Sequence, residues 1–324
     1  MTSFLITGAA GFIGSAVAEA LLRRGARVIG IDNLNDYYDV TLKQARLARL
    51  EGKGDFTFLK RDIADRDAML SLARDFPDIG TVVHLAAQAG VRHSLSDPYT
   101  YVRSNVLGQV VMLELSRQLR RLRHFVYASS SSVYGGNTKL PFSVDDPVEQ
   151  PNSLYAATKR SGELIGYTYA HLYGIPATGL RFFTVYGPWG RPDMAAFIFT
   201  QKIIAREPIK VFNRGEMWRD FTFIDDIVDG VLKVLDRPPQ NQPPHRVFNL
   251  GNHKSEKLTD FIAEIEQALQ LKAKIELEPM QPGDVPATYA DIEASRHELG
   301  FDPKTPISAG IPRFVDWYKD YYGV

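Results

Sequence analysis

A glycine-rich turn near the amino terminus constrains the fold of this chain more than any other stretch. Residues 4–7 form a short apolar run, and Gly8-x-x-Gly11-x-x-Gly14 follows it directly. Apolar residues then recur at helical spacing up to Gly25, so the turn joins a predicted strand to a predicted helix. Glycines in this context let the backbone approach a pyrophosphate, which the free amides of a helix N-terminus stabilise. The turn therefore predicts a dinucleotide-binding unit.

An acidic residue lies where such a unit binds the adenosine ribose. A second predicted strand, residues 28–31, ends at Asp32, close to the spacing of about 20 residues expected for this contact. A carboxylate there repels the extra phosphate of NADP, and no arginine directly follows it. The sequence predicts NAD, with a solvated loop carboxylate as the alternative reading of Asp32.

Further apolar runs predict the rest of the sheet, at residues 56–59, 81–85 and 124–128. Because stretches long enough for a helix separate them, we expect an α/β fold with a doubly wound parallel sheet. Ligands of such sheets bind at the carboxyl ends of the strands, where the serine run of residues 129–132 follows one strand. The serine run therefore predicts part of a ligand-binding site. The alternative is an ordinary loop, in which serines are also common.

A change in composition after residue 181 predicts a second, smaller lobe of mixed helices and strands. We assign residues 1–181, with segments returning at about 221–252, to a Rossmann domain, and residues 182–220 and 253–324 to the lobe. The elements predicted within these later segments are two strands that return to the main sheet, Phe221–Phe223 and Val247–Leu250, and lobe helices near 258–270, 291–299 and 307–321.

Composition restricts the class of protein. Lys plus Arg and Asp plus Glu both number 38, so no net charge favours nucleic acid or an anionic membrane. There is no cysteine, no apolar run near the roughly 20 residues of a membrane helix, and no metal-ligand spacing among the histidines. No basic segment lies between Met1 and the first predicted strand, so the sequence does not predict a signal peptide. We expect a soluble, cytoplasmic enzyme without a metal.

Tyr155 and Lys159 form the candidate catalytic pair. Residues at this spacing share one face of a helix, so both side chains can reach one bound molecule. A phenol has a pKa of about 10, which must fall by roughly three units for proton transfer near neutral pH. A fixed ammonium and a cationic nicotinamide ring favour the phenolate. The alternative is an ordinary surface pair, because this spacing is common by chance.

Together these motifs resemble the extended short-chain dehydrogenase/reductase family. Within it, the chain is similar to the NAD-dependent nucleotide-sugar 4-epimerases, above all to the branch that acts on UDP-glucuronate. The stretches that carry this closer likeness are residues 32–40, 181–188 and 191–194.

The resemblance implies a role for each matching residue. Ser130 joins Tyr155 and Lys159 in catalysis, Arg219 grips the diphosphate, and Asp284 meets the uridine ribose. The cofactor contacts it implies are Gly8, Gly11, Phe12, Ile13, Gly14, Asp32, Asn33, Asp62, Ile63, Leu85, Ala86, Ala87, Asn105, Ser129, Tyr155 and Lys159. The substrate contacts it implies are Ser130, Ser131, Ser132, Tyr155, Thr184, Arg191, Arg219 and Asp284. For Arg219 the alternative is an ion pair with Asp220 or Asp225.

The implied reaction is oxidation at C4, rotation of the 4-keto sugar and return of the hydride. Related dehydratases carry Asp-Glu after the catalytic hydroxyl, and related decarboxylases carry a glutamate before Val-Tyr-Gly. Here Ser131 and Ser132 occupy those positions, and neither titrates as an acid or base.

UDP-glucose 4-epimerase is the second expectation. Gln281 weakens it, because galactose-type epimerases usually have arginine at that position. A decarboxylase and a non-catalytic dinucleotide-binding protein are less favoured, since a protein of the latter kind usually lacks the tyrosine or lysine.

Two finer hypotheses follow. Arg191, Thr184, Ser131 and Ser132 offer donors for a substrate carboxylate, although Arg191 also suits an exposed loop and Thr184 a packed strand end.

Apolar residues at helical spacing after Pro98 and after Tyr155 predict a four-helix homodimer seam, with a purely internal core face as the alternative. The residues in question are Val102, Val106, Val110, Leu113, Leu164, Tyr167 and His171.

Overall fold

A computed structural model describes residues 3–281 and 283–324, so Met1, Thr2 and Pro282 lie outside the described residues. The strands are β1 (Ser3–Thr7), β2 (Val28–Asp32), β3 (Phe56–Lys60), β4 (Ile79–His84), β5 (His124–Ser130), β6 (Ala177–Phe182), β7 (Thr184–Tyr186), β8 (Pro208–Val211), β9 (Trp218–Arg219), β10 (Phe221–Phe223), β11 (His245–Leu250), β12 (Glu256–Lys257) and β13 (Lys274–Leu277). The α-helices are α1 (Phe12–Arg23), α2 (Val40–Ala48), α3 (Arg66–Leu70), α4 (Leu72–Asp75), α5 (His93–Ser96), α6 (Pro98–Tyr101), α7 (Gly108–Gln118), α8 (Leu154–Tyr173), α9 (Ala195–Ile204), α10 (Ile224–Leu235), α11 (Leu258–Leu269), α12 (Glu293–Leu299) and α13 (Ile307–Tyr322). A π-helix spans Val102–Leu107, and 3₁₀ turns span Ser131–Tyr134 and Phe212–Gly215.

Seven parallel strands form the central sheet in the order β11-β6-β5-β4-β1-β2-β3. In its middle, Leu5 lies between Ile29 of β2 and Val82 of β4. Chain order runs outward in both directions from β1, so the connections on its two sides diverge at the β1/β4 boundary. A doubly wound sheet forms its ligand crevice at such a point. The predicted fold class is confirmed.

Helices cover both faces of this sheet, which explains its apolar strands. Helix α1 packs against α10 on one face, while α7 packs against α3 and α8 on the other. Every residue of β4 and of β6 is buried. The rigid sheet thus holds the loops at its carboxyl end in place.

One predicted strand pairs elsewhere. The expectation for Val247–Leu250 is confirmed, because β11 pairs with β6 from His245 to Leu250. The expectation that Phe221–Phe223 returns to the main sheet is wrong, since β10 forms a separate parallel pair with β7. The reason is that β11 already occupies the edge of β6 over its whole length. The Phe221 ring instead stacks on Phe261 of α11, with ring centroids 3.9 Å apart.

The smaller lobe is built around an aromatic core. Helices α11 and α13 pack on each other, and α11 also packs on α9. The predicted lobe helices are found as α11, α12 and α13. Phe314 and Trp317 of α13 contact each other and Phe197 of α9. Among the described residues, no helix has the length and apolarity needed to cross a membrane.

Candidate active site

A cleft of about 1070 Å³ lies between the carboxyl end of the sheet and the smaller lobe. The predicted site residues that line it are Gly8, Gly11, Phe12, Ile13, Gly14, Asp32, Asn33, Ile63, Leu85, Ala86, Ala87, Ser129, Ser130, Ser131, Ser132, Tyr155, Lys159, Thr184, Arg191, Arg219 and Asp284. Two predicted cofactor contacts, Asp62 and Asn105, lie outside this lining.

The glycine turn packs tightly between the sheet and α1. Gly8 has a φ of +74°, and a Cβ on it would lie 2.9 Å from the backbone nitrogen of Ala86. A Cβ on Gly14 would lie 2.0 Å from the carbonyl oxygen of Gly8. Gly11 caps α1 without a side-chain hydrogen bond, so the first amides of this helix lack a side-chain acceptor at the cleft. This arrangement suits a pyrophosphate.

Asp32 is fixed beside that turn. Its carboxylate accepts hydrogen bonds from the backbone nitrogens of Ala10, at 3.2 Å, and Leu34, at 2.9 Å. A carboxylate has about four acceptor sites, so two are left for hydroxyls of a ligand.

Asp62 and Asn105 bind protein groups around the cleft. Asp62 accepts hydrogen bonds from the Ala64 nitrogen and from Arg103. Asn105 is buried in the π-helix, where its amide bonds both backbone groups of Gln88 and the Thr158 hydroxyl. Such helices are frequent at functional sites. Asn105 thus ties the Ala86–Gln88 wall of the cleft to α8.

Helix α8 presents the candidate catalytic pair to the cleft. Ser153 caps its first turn by accepting a hydrogen bond from the Ala156 nitrogen at 3.1 Å. Lys159 Nζ donates to the Ala128 carbonyl at 3.0 Å and lies 6.0 Å from the centre of the Tyr155 ring. Ser130, at the end of β5, accepts a hydrogen bond from the Ser132 nitrogen at 3.2 Å, and its hydroxyl lies near enough to Tyr155 to influence the pKa of that phenol. The predicted triad therefore meets at one end of the cleft.

The electrostatics of the pair differ from the sequence-based expectation. Burial raises the pKa of Tyr155, and the Ser130 hydroxyl and the nearby Arg191 offset that rise only in part. Burial, with a smaller effect of Arg191, lowers the pKa of Lys159 to about 8. The expected lowering of the tyrosine pKa by Lys159 is therefore not found in the protein alone, because desolvation of the phenolate dominates.

A buried ion pair supports this end of the cleft. Glu163 lies one helical turn beyond Lys159 and accepts two hydrogen bonds from Arg181 of β6, at 2.8 and 3.0 Å. Its carboxylate also accepts from the Ser129 hydroxyl at 2.6 Å. These bonds fix the end of β5, and hence Ser130, against α8.

The opposite end of the cleft is rich in basic side chains. Arg219 donates to the carbonyls of Trp218, at 2.8 Å, and Pro286, at 3.2 Å. Asp284 pairs with Arg92 at 3.1 Å. The alternative that Arg219 pairs with Asp220 or Asp225 is wrong. Those carboxylates have other partners, namely Asn252, Ala290 and Thr222 for Asp220 and Arg313 for Asp225.

Sequence reasoning missed several residues that line the cleft. Arg92 and Lys43 have no spacing signal, because they lie on segments whose position depends on the fold. Tyr37 and Asp193 belong to two of the stretches that carried the resemblance, yet no role was assigned to them. The Tyr37 hydroxyl donates to Asp193 at 3.2 Å, and Asp193 pairs with Arg191 through two hydrogen bonds.

The chain is similar to proteins of one known family. The NAD dependent epimerase/dehydratase family model matches residues 4–251. The chain is 49% identical over 331 residues to UDP-glucuronate 4-epimerase 4 of Arabidopsis thaliana, covering 98% of this chain and 75% of that protein. It is 47% identical to Protein CapI of Staphylococcus aureus, covering 98% of each.

Solved structures of sugar-nucleotide epimerases match the fold of this chain. The UDP-glucuronic acid 4-epimerase of Bacillus cereus, crystallised with UDP-glucuronic acid and NAD, matches with a TM-score of 0.92 and 34% identity over 99% of this chain and 100% of that one. The UDP-glucose 4-epimerase of Thermotoga maritima, crystallised with UDP-glucose, matches with a TM-score of 0.89 and 28% identity over 99% and 100%. Fold and cleft define a dinucleotide-binding α/β enzyme. The chain belongs to the NAD dependent epimerase/dehydratase family, which confirms the resemblance.

Proposed function

We propose that this protein interconverts UDP-glucuronate and UDP-galacturonate by NAD-dependent epimerisation at C4. The observation that carries the proposal is the meeting of Tyr155, Lys159 and Ser130 with Arg191 in one cleft. Relatives that bear this activity in their names are 46–49% identical over nearly the whole chain, which supports the same substrate.

The residues present fit NAD. The α1 N-terminus, without a side-chain cap, suits the pyrophosphate, and the Asp32 carboxylate retains acceptor sites for ribose hydroxyls. When bound, NAD supplies the hydride acceptor at C4 and the positive ring charge that favours a phenolate. In this proposal Lys159 holds the nicotinamide ribose.

Proton transfer is the task of Tyr155. Its oxygen takes the proton of the sugar's 4-hydroxyl, which Ser130 orients, and returns a proton after the sugar has turned over. Lys159 keeps its own proton below about pH 8, and in our proposal this ammonium joins the ring charge of bound NAD in favouring the phenolate. We expect this contribution to be lost as the pH rises above that value.

The acid group of the substrate needs separate control. A 4-keto glucuronate is a β-keto acid, which loses carbon dioxide when the breaking bond aligns with the carbonyl π system. Thr184, Ser131, Ser132 and Arg191 all line the cleft and supply donors for that carboxylate. In our proposal they select the acid sugar and keep it out of alignment. Ser131 and Ser132 carry no acid or base that would promote dehydration.

A substrate panel tests this function. We expect purified protein to convert UDP-glucuronate to UDP-galacturonate, with little UDP-pentose in proton NMR spectra of the products. UDP-glucose is the second candidate, favoured by the likeness to the Thermotoga maritima enzyme. Equal turnover of UDP-glucose and UDP-glucuronate would replace the first assignment with the second. No turnover of any UDP-sugar would favour a non-catalytic role.

Cofactor retention gives a separate prediction. Because the hydride must return to the same sugar, we expect NAD to stay bound throughout turnover. Heat-denatured protein should release NAD or NADH in an amount close to that of the chain, measured by chromatography. Recovery mainly of NADP, or a need for fresh cofactor in each turnover, would contradict the assignment made from Asp32.

A homodimer is also part of the proposal. Leu113 is buried in the core, whereas three other predicted seam residues, Val102, Leu164 and Tyr167, are each about half exposed, as is Leu107, which the prediction did not include. These four define the seam surface. Large exposed apolar patches mark interfaces, and a second copy offers a matching patch about a two-fold axis.

Light scattering tests the dimer. We expect twice the 36.3 kDa of one chain at micromolar concentration. Leu164→Glu should give monomers, whereas Leu277→Glu, at an exposed apolar position outside the seam surface, should not. A monomeric wild type would contradict the dimer.

Two assignments stay predictions from the sequence. Residues 1–181 with about 221–252 are proposed to bind NAD, and residues 182–220 with 253–324 the nucleotide sugar. A cytoplasmic location is proposed as well, and fractionation of cells that express the protein would test it.

A further inference from the structure

Arg191 already has a carboxylate partner in this structure. Asp193 accepts hydrogen bonds from its Nε, at 3.0 Å, and from its Nη2. Burial on its own raises the pKa of Asp193, but Arg191 lowers it below its ordinary value, so Asp193 is ionised at neutral pH. A substrate carboxylate at Arg191 therefore meets a cation whose charge is already balanced.

The guanidinium nevertheless has a second edge. A guanidinium has five N–H donors in a planar fork, and a carboxylate can bind across Nε and Nη2 or across the two Nη atoms. Asp193 occupies the first edge. The hydrogen bonds of the guanidinium to Asp193 use Nε and Nη2 and not Nη1, the Tyr37 hydroxyl lies near the same guanidinium, and Arg191 lines the cleft. The second edge can thus take a substrate carboxylate while Asp193 stays in place.

A bridge across the cleft holds Asp193. The Tyr37 hydroxyl, from the loop after β2, donates to Asp193 Oδ2 at 3.2 Å. The same hydroxyl lies so close to Gly90 that a Cβ there would be 2.6 Å away. Tyr37 therefore has little freedom, and it fixes Asp193 relative to the cofactor side of the cleft.

Arg46 anchors the loop that carries Arg191. Its side chain is fully buried and donates to the carbonyls of Trp189 and Gly190, which directly precede Arg191. It also donates to the Ala10 carbonyl in the glycine turn, at 3.1 Å. The position of the guanidinium is thus set from both sides.

We propose that Asp193, held by Tyr37, is a positioning residue that orients Arg191 and weakens its grip on the substrate carboxylate. This inference rests on the proposed function. During the reaction the keto sugar must turn over inside the cleft, which moves the carboxylate on C5. A full-strength buried ion pair would hold the ring in one orientation, whereas a shared guanidinium releases it. Asp193 thereby lowers the affinity for the acid sugar and raises the rate of turnover.

The test compares Asp193→Asn with wild type as holoprotein. Asparagine keeps the shape but removes the charge, so we expect UDP-glucuronate to bind about tenfold tighter, the order of effect for removing one nearby like charge. The kcat for UDP-glucuronate should fall at the same time. Binding of UDP-glucose, which lacks the carboxylate, should change little. Calorimetry gives the dissociation constants, and NMR gives the rates.

Two further variants complete the design. Tyr37→Phe removes the hydroxyl that holds Asp193 and should shift affinity and kcat in the same directions by a smaller factor. In an Arg191→Met background, Asp193→Asn should no longer tighten binding of UDP-glucuronate, because the cation that they share is gone.

Three outcomes would overturn the inference. These are unchanged or weaker binding of UDP-glucuronate by Asp193→Asn, equal effects on both sugars as for a merely structural role, and tighter binding with unchanged turnover. A wild type that binds UDP-glucuronate without epimerising it would contradict the proposed function alone. The calorimetric comparison would then still decide whether Asp193 weakens the grip of Arg191.

Discussion

Tyr155→Phe is expected to lower epimerisation by about 10²- to 10⁴-fold, the usual contribution of a positioned acid–base group. The change removes the oxygen that accepts the proton of the 4-hydroxyl but keeps the ring. The ring packs edge-on against Tyr101, with centroids 6.1 Å apart, and that contact remains. We therefore expect native circular dichroism and normal NAD content with almost no turnover.

Matched variants separate chemistry from packing. Tyr173→Phe removes a hydroxyl at the end of the same helix, where the ring is about half exposed, and should leave activity at the wild-type level. Lys159→Met should be severe as well, because it removes the cation beside the phenolate. Near-normal turnover of Tyr155→Phe in the NMR assay would show that another group is the base.

Glu163→Ala should produce the largest loss of stability. Glu163 and Arg181 are 1% and 3% exposed, and breaking such a pair leaves a charge buried without its partner. We expect the free energy of unfolding in urea to fall by about 3–5 kcal/mol. The double change Glu163→Leu with Arg181→Met should recover much of it, since an apolar pair leaves no buried charge.

A surface pair provides the control for this experiment. Glu293→Ala removes a partner of Arg296 at a position where the glutamate is 67% exposed, and it should change stability by less than about 1 kcal/mol. Equal losses for Glu163→Ala and Glu293→Ala would mean that the buried pair has no special weight.

The pH dependence of this pair has a definite sign. Burial on its own raises the pKa of Glu163, but the hydrogen bonds and charge of Arg181 lower it below the ordinary 4.5. A lowered pKa in the folded state stabilises the protein above the unfolded value. That stabilisation is lost as the pH falls below about 4.5. The loss should be smaller in the apolar double variant.

Much of the fold and site was predictable from local sequence. The glycine turn, Asp32 and the Tyr155–Lys159 spacing each concern residues on one or two neighbouring elements, whose geometry the backbone period determines. The strands of the first half were predicted to within one or two residues at most ends. Asp62 and Asn105 were placed near the cleft but bind protein groups around it, because their partners Arg103, Gln88 and Thr158 come from other segments.

By itself the sequence determined the sheet class, the glycine turn and the position of the candidate catalytic pair on one helix, since these depend on apolar periodicity and on spacing within single elements. Tertiary structure alone decided which edge Phe221–Phe223 joins, because β11 had already taken the edge of β6. It also decided that Arg92 pairs with Asp284 and that Tyr37 reaches Asp193, across 192 and 156 positions of the chain. No local pattern encodes such contacts, because they exist only once two loops from different lobes face each other across the cleft.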